Sequence, residues 1–232
     1  MFWTFVDASD FADGRLVIEG PQGHHLARVL RVRRGERGVA VSNRREYELE
    51  VVEVAGNRVI GRVMGERPVQ GEPPLRIMLL QAALPNPDFD AVLEGGTAVG
   101  IGRFMAVQAE RCVARPAVQR LARWQAIARS AAEQSHRGEV PEVVGPLSLA
   151  AALEQARGSR LLVLDPGASM PLARAVDGSN AYTIAVGPEG GWTDHELSLM
   201  RERDGAGVNL GPRILRARLA PIVAAAILVQ QR

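Results

Sequence analysis

The sequence predicts an α/β protein with a small strand-rich amino-terminal part and a larger parallel α/β part. Three short apolar segments, Leu161–Leu164, Tyr182–Val186 and Val208–Leu210, each run into a glycine- or proline-containing break. Such runs read as buried strands, and strands alternating with helices build parallel sheets. Residues 1–67 read mainly as short strands with one short helix between them, which implies a small β-barrel. Gly65 to Pro74 gathers glycine, proline and polar residues, Gly71 and Pro73-Pro74 among them, and marks a linker. The predicted domains are therefore residues 1–68 and 74–232.

In the first domain, Glu46-Tyr47-Glu48-Leu49-Glu50-Val51 alternates polar and apolar residues as a half-buried strand does. Arg58–Met64 is its expected partner across the Ala55-Gly56-Asn57 turn, and His25–Leu30 suits a short helix. Leu75–Leu84 is a strongly apolar strand opening the second domain, stopped by Pro85 and Pro87. Ala117–His136 is the clearest amphipathic helix, with Leu121, Trp124, Ala128 and Ala131 on one face. Gly138 ends it and Pro141 prevents its resumption. Leu147–Arg157 is an alanine-rich helix feeding the strand at 161–164. After Tyr182–Val186 and its glycine turn, Thr193 and Glu196 form a capping box, in which hydroxyl and carboxylate each satisfy a free backbone N–H, so a helix spans 193–203. The last helix, Leu219–Gln231, tolerates Pro221 only in its first turn. It is apolar nearly all round and must be covered on most sides, within the monomer or by a second copy.

Bulk properties exclude several classes. All 28 basic residues are arginine, yet the net charge is only +2, so any nucleic-acid footprint is local. The single cysteine, Cys112, excludes an internal disulfide, fits a reducing compartment, and reads as a small half-buried side chain before a catalytic thiol. The start, Met1-Phe2-Trp3-Thr4-Phe5, lacks a basic flank and soon meets Asp7 and Asp10, unlike a secretion signal. The longest apolar run, 219–229, is too short to span a membrane. His24 and His25 lack a cysteine or carboxylate set at ligand spacing, so no metal is expected. The expectation is a soluble cytoplasmic protein without membrane or metal partners.

The chemistry-bearing stretch is Gly187-Pro188-Glu189-Gly190-Gly191, between a strand and a capped helix. It places bare backbone at the carboxyl end of a strand, where open α/β sheets hold ligands. Leu210-Gly211-Pro212 and Asp165-Pro166-Gly167 repeat the design, and parallel neighbours would bring the three loops together. The glycine fingerprint and ribose-binding acid of a Rossmann dinucleotide site are missing. Seven arginines (Arg28, Arg31, Arg33, Arg34, Arg37, Arg44, Arg45) stand against one acid, Glu36, in residues 24–45. Seven more stand against Glu110 and Glu133 between Arg103 and Arg137. Guanidinium clusters suit phosphate oxygens, although a charge run taken alone is more often a solvated face.

Gly187–Gly191 followed by Leu210-Gly211-Pro212-Arg213-Ile214-Leu215-Arg216 closely resembles the RsmE family of ribosomal RNA uridine N3-methyltransferases, in the SPOUT superfamily. The likeness extends to Glu110-Arg111-Cys112-Val113, Arg123-Trp124, Ala132-Glu133-Gln134-Ser135 with Arg137, Val140-Pro141-Glu142, and His25-Leu26 with Val29-Leu30-Arg31. It implies a PUA-like β-barrel for RNA binding followed by a SPOUT methyltransferase domain with a deep trefoil knot. It implies a homodimer acting on 16S ribosomal RNA in the small subunit. By the same likeness Leu164, Asp165, Gly187, Pro188, Glu189, Gly190, Gly191, Leu210, Gly211, Ile214, Leu215 and Arg216 hold S-adenosylmethionine. His25, Arg28, Arg31, Arg33, Arg111, Gln134 and Arg137 are expected at the RNA. The chain departs from the family at four places: Asn86 for a usual Lys, Ala98 and Arg218 for usual acids, and Leu219 for a usual Thr.

Methyl transfer from a sulfonium is a direct displacement, so alignment matters most and no metal is required. Uridine N3 carries a proton at neutral pH, which calls for a base or for a cation that stabilises the anion. Glu133 and Glu189 are the candidate bases, Arg137 and Arg216 the candidate stabilisers. The N3 edge is used in pairing, so single-stranded or flipped RNA is the expected substrate. The alternative is a non-catalytic RNA-binding protein that keeps the SPOUT fold.

Overall fold

The computed structural model describes residues 1–12, 14–115 and 118–231. The chain divides into two compact units, one of Met1–Glu72 with His136–Val140, the other of Pro73–Ser135 with Pro141–Arg232. The short segment after the long helix, assigned by sequence to the second domain, thus groups with the first unit.

The first unit holds β1 (Phe2–Phe5), β2 (Phe11–Ala12), β3 (Arg15–Ile18), α1 (Gly20–His24), β4 (Arg37–Ser42), β5 (Arg45–Ala55) and β6 (Arg58–Pro68). The strands form one sheet in the order β1-β4-β5-β6-β3-β2, with β1 parallel to β4 and the remaining pairs antiparallel. The expected closed barrel is not found, because the outer strands β1 and β2 are not paired with each other among the described residues. β5 and β6 form the long hairpin anticipated across Ala55–Asn57. The short helix expected at His25–Leu30 is a π-helical turn, His25–Val29, continuing α1. Leu16, Ile18, Leu26, Leu49, Val51 and Val59 make the core.

Residues 136–140 join this unit through a dense set of polar contacts. The Trp3 indole stacks on His136, with centroids 4.6 Å apart, and its Nε1 donates to the Arg137 carbonyl at 3.1 Å. Arg137 grips Glu72 with Nε and Nη2, both at 2.8 Å, and the Gly138 N–H donates to the same carboxylate at 2.7 Å. Gly138 is not the helix cap expected of it. The helix stops at Gln134, and a Cβ on Gly138 would lie 1.9 Å from Val69, so glycine here permits close packing.

The second unit contains β7 (Arg76–Ala82), α2 (Asn86–Ala98), β8 (Arg103–Gln108), α3 (Leu121–Gln134), β9 (Glu142–Ser148), α4 (Leu149–Gln155), β10 (Arg160–Leu164), β11 (Ala181–Val186), α5 (Asp194–Arg201), β12 (Ala206–Val208) and α6 (Ala220–Gln230). Its sheet has the order β12-β10-β11-β7-β8-β9 and is parallel throughout. One face carries Leu79, Phe89, Phe104, Trp124, Ala224 and Leu228 from the sheet, α2, α3 and α6. The other carries Leu80, Met105, Leu153, Ala185 and Met200, under α4 and α5. Both faces are covered, as a parallel sheet requires.

Of the expected helix 117–136, α3 realises residues 121–134, preceded by a 3₁₀ turn at Val118–Arg120, and Ala117 lies outside the described residues. The helix expected from Leu147 starts at Leu149, because Leu147 and Ser148 still pair with β8 and the Ser148 hydroxyl caps the helix by accepting from Ala151 N at 3.2 Å. α5 has the expected capping box, with the Thr193 hydroxyl and the Glu196 carboxylate each bonded to the other's N–H. In α6, Pro221 occupies the first turn; Ala220, Ala224, Ala225 and Leu228 are buried, while Val223, Ala226 and Ile227 stay partly exposed. No helix among the described residues is long and apolar enough to cross a membrane.

The Glu72 pair fixes an expected acid sensitivity. Burial alone would raise the Glu72 carboxyl pKa; the Arg137 guanidinium and the N–H groups of Gly138 and Glu139 outweigh it and hold the carboxyl below its usual value. A pKa lowered by folding contributes stability that is present above the unfolded value and is lost as pH falls through the folded one. Glu72→Ala, which takes the carboxylate away from a buried guanidinium, is expected to cost about 3 kcal/mol at neutral pH. Urea unfolding at neutral and acid pH should show that cost shrinking in acid, where the wild type itself loses the pair.

Candidate active site

Loops leaving the carboxyl ends of β10, β11 and β12 line one cavity of about 400 Å³. This lies within the range of small-molecule pockets, roughly 300–1,000 Å³. The β10 loop supplies Leu164, Asp165 and Pro166; the β11 loop supplies Val186 to Glu189, Gly191 and Trp192; the β12 loop supplies Val208 to Gly211 and Arg213 to Ala217. Leu197 of α5 and Ala220 of α6 complete the wall.

The loops are held by bonds to their own backbone. Gly191 N donates to Pro188 O at 2.8 Å and closes a turn over Glu189 and Gly190. Asn209 connects the other two loops. Its Nδ2 donates to Ala168 O at 2.8 Å, its Oδ1 accepts from Gly211 N at 2.9 Å, and its own N donates to Met170 O at 2.9 Å. Asp165 Oδ1 accepts from Gly167 N at 2.8 Å, so the β10 loop carries its own Asx turn. Gly211 sits at φ +97°, a conformation that residues with a side chain rarely adopt. Behind the β11 loop, the Trp192 indole packs against Gly187, and its buried Nε1 has no acceptor among the described residues.

Eleven of the twelve residues expected at a cofactor line this cavity: Leu164, Asp165, Gly187, Pro188, Glu189, Gly191, Leu210, Gly211, Ile214, Leu215 and Arg216. Gly190 does not. Its bare face is turned to the Arg111 stem, whose Cβ would stand 3.4 Å from an added methyl. Sequence reasoning missed Trp192, Asn209 and Arg213. An asparagine two residues before a glycine, the signature of an Asx turn, was the available signal for Asn209.

The remaining expected site residues lie elsewhere. Glu133 and Gln134 close α3 and are not among the lining residues; Glu133 is 3.6 Å from the Arg129 guanidinium. Arg137 is buried in the first unit on Glu72. Arg111 turns its guanidinium onto the carbonyls of Gly190 and Trp192. His25, Arg28, Arg31 and Arg33 belong to the first unit, where the three arginines are exposed and carry no ion pair among the described residues. Arg44 and Arg45 pair instead with Glu139 and Glu66. Burial pushes the half-buried Cys112 thiol above its usual pKa, which keeps it protonated and a poor nucleophile. No cluster of three or more metal-ligating side chains occurs among the described residues.

The cavity has acids (Asp165, Glu189), arginines (Arg213, Arg216) and the amide of Asn209 on an otherwise largely apolar and backbone wall. That combination suits a flat heteroaromatic ligand with a charged end. Residues 71–229 match the model of an RNA methyltransferase domain. The chain is 34% identical to ribosomal RNA small subunit methyltransferase E of Mycobacterium bovis, with 95% of this chain and 88% of the relative covered. It is 28% identical to the protein of the same name from Bacillus subtilis, covering 89% and 86%. A crystal structure of that enzyme from Neisseria gonorrhoeae bound to S-adenosylmethionine superposes with a TM-score of 0.88 at 30% identity, over 97% of this chain and 95% of the other. A putative methyltransferase from Legionella pneumophila, in complex with the same cofactor, gives a TM-score of 0.86 at 25% identity, over 98% and 96%. The chain belongs to the RNA methyltransferases, and within them to the ribosomal RNA small subunit methyltransferase E family.

Proposed function

We propose that this protein methylates N3 of a uridine in 16S ribosomal RNA, with S-adenosylmethionine held in the cavity at the ends of β10, β11 and β12. The observation that carries the reading is the meeting of three glycine- and proline-containing loops at one edge of a parallel sheet, around a cavity of ligand size. When bound, S-adenosylmethionine supplies an electrophilic methyl carbon on a sulfonium. The protein's residues have three tasks beside it. The loop backbone around Gly187 and Leu210–Gly211 lies open to a flat ring, with Leu164, Val186 and Leu215 as apolar walls. Glu189, exposed on the cavity lining, is the proposed acceptor of the uracil N3 proton. Arg216, on the same lining, is the proposed stabiliser of the charge left on the ring. Glu133 and Arg137 are outside the lining, and this favours the other pair for those roles.

The four departures from the family pattern support retained activity by their positions. Asn86, Ala98, Arg218 and Leu219 are all exposed, and none lines the cavity. Arg218, a cation where an acid is usual, has its own carboxylate: Asp88 Oδ1 lies 2.9 Å from its Nη1. The cytoplasmic setting, a PUA-like RNA-binding role for the first unit and a trefoil knot about the loops at 165–171 and 209–217 belong to the same reading. A parallel bridge between Pro171 and Asn209 puts those two loops side by side.

Transfer of label from S-adenosylmethionine to unmodified small ribosomal subunits, followed by nucleoside mass spectrometry, is expected to yield 3-methyluridine. Tight cofactor binding without transfer to subunits or bare ribosomal RNA would assign the chain to the non-catalytic alternative. Two glycine variants test the pocket. Gly211→Ala is expected to weaken cofactor binding by about tenfold or more, since a side chain in the left-handed region costs roughly 1–3 kcal/mol. Gly190→Ala should bind nearly as wild type, its methyl making only ordinary contact with Arg111. Calorimetry showing the reverse order would place the ligand elsewhere. The homodimer rests on the partly exposed apolar face of α6 at Val223, Ala226 and Ile227. Ile227→Asp is expected to give monomers by light scattering; a wild type that is itself monomeric would refute the interface.

A further inference from the structure

We infer that Arg111 and Glu196 are positioning residues that set the cofactor loop from behind, tying the end of β8 to the loop after β11. The inference rests on the reading of the cavity as the S-adenosylmethionine pocket.

β8 and β11 are not neighbours in the sheet, because β7 lies between them. The residues following β8 nevertheless reach the glycine loop at three points. Arg111 Nη1 donates to Gly190 O at 2.9 Å and to Trp192 O at 3.4 Å. Glu110 N donates to Glu196 Oε1 at 2.9 Å, while the other oxygen of that buried carboxylate accepts from Thr193 N at 2.8 Å. Two successive residues of one segment thus hold two carbonyls and, through Glu196, one N–H of the segment from Gly190 to Thr193.

Physical accounting explains the arrangement. An irregular loop that turns some peptide groups toward a ligand leaves others pointing away, and those need partners. Gly190 O and Trp192 O are such groups, and one guanidinium serves both. The bare face of Gly190 receives the Arg111 stem, with Cβ and Cδ at 3.4 and 3.6 Å from where a methyl would stand. This glycine accommodates the buttress rather than the ligand. Fixing the peptide planes on either side of Gly191 and Trp192 fixes the lining that those two residues present to the cavity. A charged donor on two carbonyls is stronger than a neutral one, though the exposure of Arg111 reduces its effect.

The competing role for Arg111 is a phosphate contact, and the two roles move different observables. Arg111→Ala and Arg111→Lys should be compared with wild type by calorimetry with S-adenosylmethionine. Binding of a small-subunit ribosomal RNA fragment should be followed across a salt series. Arg111→Ala is expected to weaken cofactor binding on the order of tenfold. Arg111→Lys should fall between, because an ammonium can reach the carbonyls without the planar fork. The KM for cofactor should rise with Kd, while the KM for RNA and the salt slope stay at wild-type values. Unchanged cofactor affinity overturns the inference. If the salt slope also drops by about 0.7–0.9, Arg111 is a phosphate ligand. Unfolding of both variants overturns it too, since the residue would then hold the fold and not the loop. A wild type that binds no S-adenosylmethionine refutes the pocket itself, a failure visible before any variant is measured.

Discussion

Parallel pairing of β10 with both β11 and β12 obliges the three loops that follow these strands to leave the sheet on the same side. Everything at the candidate site depends on that constraint. Residues from 164 to 166, 186 to 189, 191 to 192, 208 to 211 and 213 to 217 come from three separate stretches of sequence, yet adjacent strand ends bring them around one cavity. The strands are short, five, six and three residues; β10 and β11 are buried along most of their length, while the edge strand β12 buries only Val208. Apolar side chains fix the sheet; the sheet fixes where bare backbone is presented.

Bare backbone must then be kept in one conformation, and the molecule uses polar side chains for this more than glycine alone. Asn209 bonds to the β10 loop on one side and to Gly211 on the other. Glu196 joins the helix cap of α5 to the end of β8. Each acts on peptide groups that an irregular loop would otherwise leave unpaired. A similar device holds the first unit, where the Glu72 carboxylate takes both a guanidinium and the Gly138 N–H. In all of these the charged or amide group meets backbone at a bend, where no ladder or helix partner exists.

The features legible in the sequence were those with local causes. The capping box at Thr193 and Glu196 and the three strand-to-loop breaks need only a few neighbouring residues to specify them. Pro85 and Pro87 signal the end of a strand, but proline is equally at home before and within a helix's first turn, and α2 begins there. Gly95 and Gly96 then weakened the helical pattern further. β9 contains Gly145 and Pro146, which argue against a strand except at an edge, and β9 is the edge of its sheet. β8 was hidden for another reason: a short apolar run such as Phe104–Val107 has no period to distinguish strand from buried helix. Arg111 was beyond local reasoning altogether. Its partner Gly190 is 79 positions away, and an arginine within a basic region looks the same whether it meets phosphate or carbonyl.

Charge distribution links fold to function by the same accounting. With 28 arginines and a net charge of +2, acids nearly balance the cations over the whole chain. Part of that balance is local: Arg67 pairs with Glu46, Arg103 with Glu142, Arg123 with Asp90, Arg137 with Glu72 and Arg218 with Asp88. Such pairs cancel the long-range field and leave it to whatever is unpaired. Among the described residues Arg28, Arg31, Arg33, Arg34 and Arg37 have no ion pair, and all five are exposed within ten positions of one another. An almost neutral molecule thus carries a run of exposed arginines without ion pairs on its first unit. A polyanion is attracted most by such local density, within a Debye length of about 8 Å at physiological salt. These arginines and the cavity lie on different units, so on the proposed reading a contact with the phosphate backbone and the chemistry of methyl transfer are assigned to separate sets of residues.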